Sequence, residues 1–258
     1  LAANGGGIGW IWWGVGLSCP PLAAAVIWTV TTLAAVDEPR TAPTLTIEVT
    51  GQQWWWRVRY LGADPSQVFE TANEIHIPAG QPVRVRLIGG DVIHSFWVPQ
   101  LAGKTDTIPG QVNVTWLQAD VPGRYAGQCT EYCGLQHAHM QFIVVAETPI
   151  AFAAWRRAQA QPAATPAGAL AQDAAVFDGQ CGKCHTVRGS AADGRLGPDL
   201  THLMTRQTLA AGALPNTPGA LSGWISDPQG NKPGALMPGD LVSGPQLAEV
   251  RDYLETLH

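Results

Sequence analysis

Residues 8–36, "IGWIWWGVGLSCPPLAAAVIWTVTTLAAV", carry no charged side chain. As a helix at ~1.5 Å per residue this run spans ~43 Å, and a bilayer's hydrocarbon core needs only ~30 Å. Trp10, Trp12 and Trp13 resemble an interfacial aromatic belt, and Asp37, Glu38 and Arg40 mark the exit into water. The pattern predicts a membrane helix; the alternative is a secretory signal, whose basic leading region is absent here. Pro20 and Pro21 are expected to kink or interrupt the helix, because proline lacks a backbone donor and clashes with the preceding turn. Cys19, inside the span, has no metal-type partner nearby.

After Arg40 the period changes. "TLTIEVTGQQWWWRVRY", "NEIHIPAGQPVRVRLIG", "VNVTWLQA" and "MQFIVVAE" alternate apolar and polar residues between Pro and Gly breaks. That two-residue period predicts antiparallel strands and, over residues 37–150, a β-sandwich. Residues 151–170 contain the Ala-, Pro- and Gln-rich "RRAQAQPAATPAGAL" without apolar periodicity and are expected to form an exposed linker. From 171 to 258, "AQDAAVFDGQCGKCH", "PDLTHLMTRQTLAAG", "PGALSGWISD" and "GPQLAEVRDYLETLH" predict short helices. The expected organisation is thus a transmembrane segment (1–36), an all-β domain (37–150), a linker (151–170) and an all-α domain (171–258).

The formal net charge of −5 over 258 residues fits a globular chain, and no region is basic enough for nucleic acid. Five cysteines narrow the chemistry. Cys181 and Cys184 in "CGKCH" have the spacing at which haem vinyl groups become thioether-linked while the adjacent His185 binds iron. A redox dithiol or half a zinc site are the alternatives, and neither a βαβ pattern nor a second cysteine pair supports them. A thioether suits the other axial position. Met237, in the loop "ALMPGD", is preferred to Met204, which lies in an apolar helical pattern and reads as core.

"GQCTEYCGLQHAHM" (127–140) brings Cys129, Cys133, His137 and Met140 together, and His94 stands upstream in "DVIHSFWVP". Thiolate, thioether and imidazole donors select copper over hard cations. One Cys with two His and a Met would make a mononuclear site. Two thiolates can instead bridge two copper ions, each then capped by one imidazole, with Met140 and a backbone carbonyl between the cysteines as weak outer ligands. A Cys129–Cys133 disulfide and a Cys2His2 zinc site remain alternatives. His76, His139 and His202 read as structural or exposed, and Arg84 and Arg86 as a solvated strand face.

Together with "GQQWWWRVRY", "NEIHIPAGQPV", "DVIHSFWVPQLAGKTDTIPG" and "WISDPQGNKPGALMPG", these motifs resemble subunit II of the haem-copper cytochrome c oxidases, in the form with a fused C-terminal cytochrome c domain. The resemblance implies a cupredoxin fold, a Greek-key sandwich, holding dinuclear copper A through His94, Cys129, Cys133, His137, Met140 and the main-chain carbonyl of Glu131. It implies that the Glu131 side chain and Asp106 lie near a magnesium ion shared with the catalytic subunit. It makes Trp54 the surface aromatic where electrons reach the copper pair, which leaves Trp55 as core, Trp54 and Trp56 sharing the other strand face.

The implied function is caa3-like electron transfer: an external cytochrome c or other donor complex reduces the covalent haem c, copper A follows, and a catalytic subunit I reduces O₂. No oxygen-reducing site is expected within this chain, so it is an enzyme only as part of the complex. The implied place is the bacterial cytoplasmic membrane, in contact with lipid, with the soluble domains on the periplasmic face. A copper A subunit of a nitric oxide reductase and a membrane-tethered shuttle without a permanent partner are the alternatives; a quinol-oxidising relative would lack the copper ligands. The family has two membrane helices before the copper domain, whereas one span precedes Asp37 here. A first helix is either outside this sequence, which starts at Leu1 and not at methionine, or lacking.

Overall fold

A computed structural model of the chain describes residues 7–242 and 244–258, so the first six positions of the expected transmembrane segment lie outside the described residues. Helix α1 (Gly7–Asp37) has 31 residues, runs without a break through Pro20 and Pro21, and is long and apolar enough to cross a membrane. The expected interruption does not occur: the prolines cost the hydrogen bonds of their own missing N–H groups, and the remaining apolar run continues the helix. Among the described residues, those up to position 42 form one compact unit and those from 43 to 258 another.

The second unit begins with two five-stranded sheets. One has the order β3 (Phe69–Ala72), β2 (Trp55–Tyr60), β1 (Leu45–Gln52), β5 (Val83–Gly89), β8 (Val112–Leu117). The other runs β4 (Glu74–Pro78), β10 (Gln141–Glu147), β9 (Gly123–Cys129), β6 (His94–Trp97), β7 (Thr105–Thr107). Most neighbours are antiparallel, but β1 pairs with β5, and β4 with β10, in parallel. This is the sandwich expected of a cupredoxin. The two-residue period puts Leu45, Ile47 and Val49 of β1 and Val83, Val85 and Leu87 of β5 inward, while Arg84 is exposed. Trp56 is the hub of the core: its ring meets Phe142 at 5.3 Å and Phe96 at 5.8 Å, both edge-on.

The tryptophan run departs from expectation. Gln53 and Trp54 form the turn between β1 and β2, and the register then pairs Gln52 with Trp55 and Gly51 with Trp56. Trp56 is therefore fully buried, whereas Trp55 is half-buried beneath the Arg57 guanidinium, 5.3 Å from its ring centroid. The expected core position for Trp55 is corrected, because the turn resets the strand's phase.

The expected linker differs too. Helix α2 (Pro149–Gln159) starts at Thr148, whose hydroxyl accepts from the Ala151 N–H at 3.3 Å. Its Phe152 is buried, and its Trp155 stacks on His76 at 4.1 Å and meets Tyr60 edge-on at 5.2 Å. Only residues 160–168 lie outside the two helices that flank this stretch.

The helical region comprises α3 (Ala169–Gln180), α4 (Pro218–Ser226), α5 (Pro228–Asn231) and α6 (Pro245–Leu254), with Phe177, Leu203, Leu221, Ile225, Val250 and Leu254 in its core. "PDLTHLMTRQTLAAG" is not the expected helix. It makes one 3-10 turn at Leu203–Thr205 and then β11 (Thr208–Leu209), which pairs with β12 (Leu214–Pro215). Sandwich and helical region meet across a polar seam, in which the Gln141 N–H donates to Ala211 O at 3.0 Å and the Gln207 N–H to Glu74 Oε1 at 2.6 Å.

Candidate metal centre and haem-attachment site

Strand pairing assembles the metal-type donors. β6 lies against β9 with Phe96 opposite Cys129, which carries His94 to the end of β9 where the cysteine loop begins. Cys129 and Cys133 are buried, free and 3.8 Å apart at sulfur, nearly twice a disulfide bond of ~2.05 Å. Each sulfur faces one imidazole: Cys129 Sγ lies 3.9 Å from His94 Nδ1, and Cys133 Sγ lies 3.6 Å from His137 Nδ1. Each also has one weak donor close by, Glu131 O at 3.3 Å from Cys129 Sγ and Met140 Sδ at 3.9 Å from Cys133 Sγ. This near-twofold arrangement offers two soft sulfurs to share between two ions, with one imidazole and one weak ligand for each.

The electrostatics favour stepwise ionisation. Burial resists the charge on Cys129, but His94, backbone groups of Ser95 and Glu131, and His137 bring its pKa down to about 7. Burial and the neighbouring Cys129 push Cys133 up to about 12, so the second thiolate forms only with added positive charge, as a metal provides. His94 is held by a group the sequence reasoning passed over: Asp91 Oδ1 sits 2.8 Å from its Nε2, while Asp91 Oδ2 accepts from the Gln53 N–H at 2.6 Å. An acid three residues before the histidine in "DVIH" was the available signal.

Asp106 lies 3.6 Å from Lys104 Nζ. Among the described residues, the group able to hold a metal through three side chains is His94, Cys129 and Cys133, and Asp106 and Glu131 do not join a further one.

Trp54 is half-buried, and its Nε1–H donates to Cys133 O at 3.0 Å. It is covered by the helical region of the same chain: a Cβ at Gly234 would stand 3.5 Å from its ring. Lys232, 3% exposed, donates from Nζ to Trp54 O, His139 O and Ala210 O, each at 2.8 Å. Burial draws its pKa down to about 7, opposed by Cys133. This lysine lies in the stretch "WISDPQGNKPGALMPG", but the sequence assigned it no role.

Cys181 and Cys184 follow α3 directly, and His185 Nδ1 lies 2.9 Å from Pro198 O, which leaves Nε2 for a ligand. Burial depresses the His185 pKa and favours the neutral, iron-binding imidazole. A Cβ at Gly197 would fall 2.5 Å from His185 Cε1, so only glycine lets this backbone approach the ring. Cys181, His185 and Met237 line one cavity with the apolar side chains of Phe177, Leu209 and Ile225, whereas Met204 packs into the helical core. Arg206 also lines it; this buried guanidinium donates to Asp199 O, and its Nε has no hydrogen-bond partner in the structure. The Cys181 thiol with Cys184 nearby in the chain, a neutral imidazole, apolar walls and the unpartnered Nε of Arg206 fit a covalently bound haem. Asn73, from the sandwich, reaches the same cavity, and its Oδ1 accepts from the Trp56 N–H at 2.8 Å.

A sandwich with paired thiol and imidazole donors is joined here to a helical region whose Cys181, His185 and Met237 line an apolar cavity, the arrangement of a metal- and haem-binding class of protein. The family model described as cytochrome c oxidase subunit II, periplasmic domain, matches residues 61–147, and that described as cytochrome c matches 171–258. Cytochrome c oxidase subunit 2 of Alkalihalophilus pseudofirmus is 40% identical over 197 residues, 76% of this chain and 56% of that protein. Its counterpart in Bacillus sp. (strain PS3) is 30% identical over 253 residues, 92% of this chain and 70% of that protein. A crystal structure of the periplasmic domain of subunit II of cytochrome oxidase from Bradyrhizobium japonicum is 34% identical, covering 46% of this chain and 95% of that one, with a TM-score of 0.43. The chain belongs to the cytochrome c oxidase subunit 2 family, with a cytochrome c domain at its C-terminal end. It spans little more than half the length of the first of these relatives. With an apolar helix ahead of a periplasmic-domain family match, it is a membrane-anchored protein with a periplasmic domain.

Proposed function

We propose that this chain is the electron-accepting subunit of a caa3-type terminal oxidase in a bacterial cytoplasmic membrane, taking electrons from an external donor and delivering them to a haem-copper catalytic subunit that reduces O₂. The observation that carries this reading is the near-twofold donor set of Cys129, Cys133, His94 and His137, with Glu131 O and Met140 at its two ends. When bound, copper A and haem c supply one-electron redox chemistry without proton transfer. Cys181 and Cys184 would hold the haem covalently, and His185 and Met237 would supply ligands to its iron.

The protein's own work is to hold these donors in place in a dry site. Met140 and His94 are fully buried, and Trp56 closes the core beside them, its ring 6.0 Å from that of His94. Trp54 touches both the copper loop and the helical region, which supports it as the route by which electrons pass from this chain's haem region to the copper pair. A magnesium ion shared with the catalytic subunit would need most of its oxygen ligands from that partner.

Metal analysis and optical spectra of the purified complex test the reading, together with gas consumption. The expected result is two copper ions and one c-type haem per chain, with rapid uptake of O₂ and not of NO. Fast NO consumption would assign the chain to a nitric oxide reductase, and isolation without a large membrane partner would make it a free-standing shuttle.

A further inference from the structure

We propose that Lys232 is a positioning residue that locks the haem-binding region onto the copper-binding loop in one register, so that electrons pass between the two sites in a fixed arrangement and not through a swinging domain. This rests on the relay proposed above, and deepens it by saying how the two halves are held.

Three observations carry it. First, the Lys232 ammonium uses all three of its donors on backbone carbonyls. Two of these, Trp54 O and His139 O, belong to the sandwich and flank the copper donors, whereas Ala210 O belongs to the helical region. Burying an ammonium is costly unless its partners are in place. A shift of the interface by a few ångströms would strand it, so the lysine selects one docked register.

Second, the loop that bears Lys232 is braced by hydrogen bonds as far as Met237. Asp227 caps α5 by accepting from the Gly230 N–H at 2.7 Å. The Gln229 carboxamide donates to Ala235 O at 2.7 Å and Met237 O at 3.0 Å, and accepts from the Gly234 N–H at 2.9 Å. One braced segment thus carries the interface anchor at one end and the proposed haem ligand at the other.

Third, the flanking backbone is shaped for contact. Gly234 has φ +85°, and a side chain there would press on Leu135 of the copper loop at 3.2 Å. Pro233 O accepts from Gln136 Nε2 at 2.8 Å.

Two measurements test the proposal on the intact, metal-loaded protein. In the wild type, brief treatment with a water-soluble amine-acylating reagent, read by peptide mass spectrometry, should modify exposed Lys104 and Lys183 and spare Lys232 by about tenfold or more, since a buried group reacts only when the interface opens. Equal modification of all three lysines overturns the proposal. In Lys232→Met, light-triggered electron transfer from haem to copper should slow by about tenfold or more, as a buried charged contact is lost and docked molecules become rarer. An unchanged rate overturns the proposal as well. Optical spectra before each run separate the two ideas: absent copper or haem signals in the wild type refute the relay, whereas the acylation pattern judges the lock alone. If Lys232→Met fails to load its metals, the acylation result decides.

Discussion

Asp91 Oδ1 and His94 Nε2 lie 2.8 Å apart, and this contact turns the other ring nitrogen, Nδ1, toward the sulfur of Cys129. A carboxylate behind a metal-binding histidine fixes its tautomer and raises its basicity. Asp91→Ala is expected to weaken copper binding by about 10- to 100-fold while leaving the haem spectrum intact. Competition with a copper chelator, followed optically, measures it; unchanged retention of copper would refute the role.

Cys133 contributes one of the two sulfurs, and its thiol is the harder of the pair to ionise. Cys133→Ser is expected to abolish the paired copper signal in electron paramagnetic resonance and reduce O₂ uptake by the complex to background, while the donor still reduces the haem. Normal steady-state turnover in this variant would contradict the proposed route.

Met237 faces the haem cavity, while Met204 packs into the helical core. A thioether ligand raises the potential of haem iron. Met237→Ala should therefore lower the midpoint potential without releasing the haem, which Cys181 and Cys184 retain covalently. Met204→Leu should leave the potential unaltered. Spectroelectrochemical titration of both variants distinguishes the two methionines.

His76 ties the sheet to α2 through its stack on Trp155 and lies 3.3 Å from Glu147 and 3.9 Å from Glu74. Burial opposes its charge, but the two carboxylates raise its pKa above 6.5. Its stabilisation is therefore complete below about pH 6.5 and fades as the pH rises through the higher folded value. Glu74 acts in the opposite sense: although burial resists its charge, His76 and the Gln207 N–H lower its pKa, so its contribution fades as the pH falls. Thermal unfolding of His76→Gln beside the wild type should show a Tm gap that narrows between pH 6 and 9. A constant gap would mean that the histidine acts only by packing.

The tryptophans and the linker show where local reading stops. Alternation along "WWWRVRY" is real, but its phase depends on where the turn ends, and that is set by the pairing of Gly51 with Trp56. Gly51 also admits His94, since a Cβ there would come within 2.9 Å of the imidazole. Residues 149–159 carry a local amphipathic signal that the linker reading missed, with Phe152 and Trp155 one turn apart on one face. They form a helix because Phe152 and Trp155 find a sandwich surface to cover, a contact partner invisible in a local window.

What the sequence determined alone were features encoded by spacing along a covalent chain: the apolar length of α1, the inward residues of β1 and β5, the cysteine pair beside His185, and the run from Cys129 to Met140. Only the tertiary structure decided which distant groups complete them. It brought His94 to Cys129 across β6 and β9, set Asp91 behind it, and buried Lys232 between the two redox regions. The physical reason is range. Backbone geometry fixes neighbours within a turn or strand, whereas the partner of a buried polar group is chosen by the packing of whole sheets and helices, in which one lysine among three in the chain carries no mark of its own.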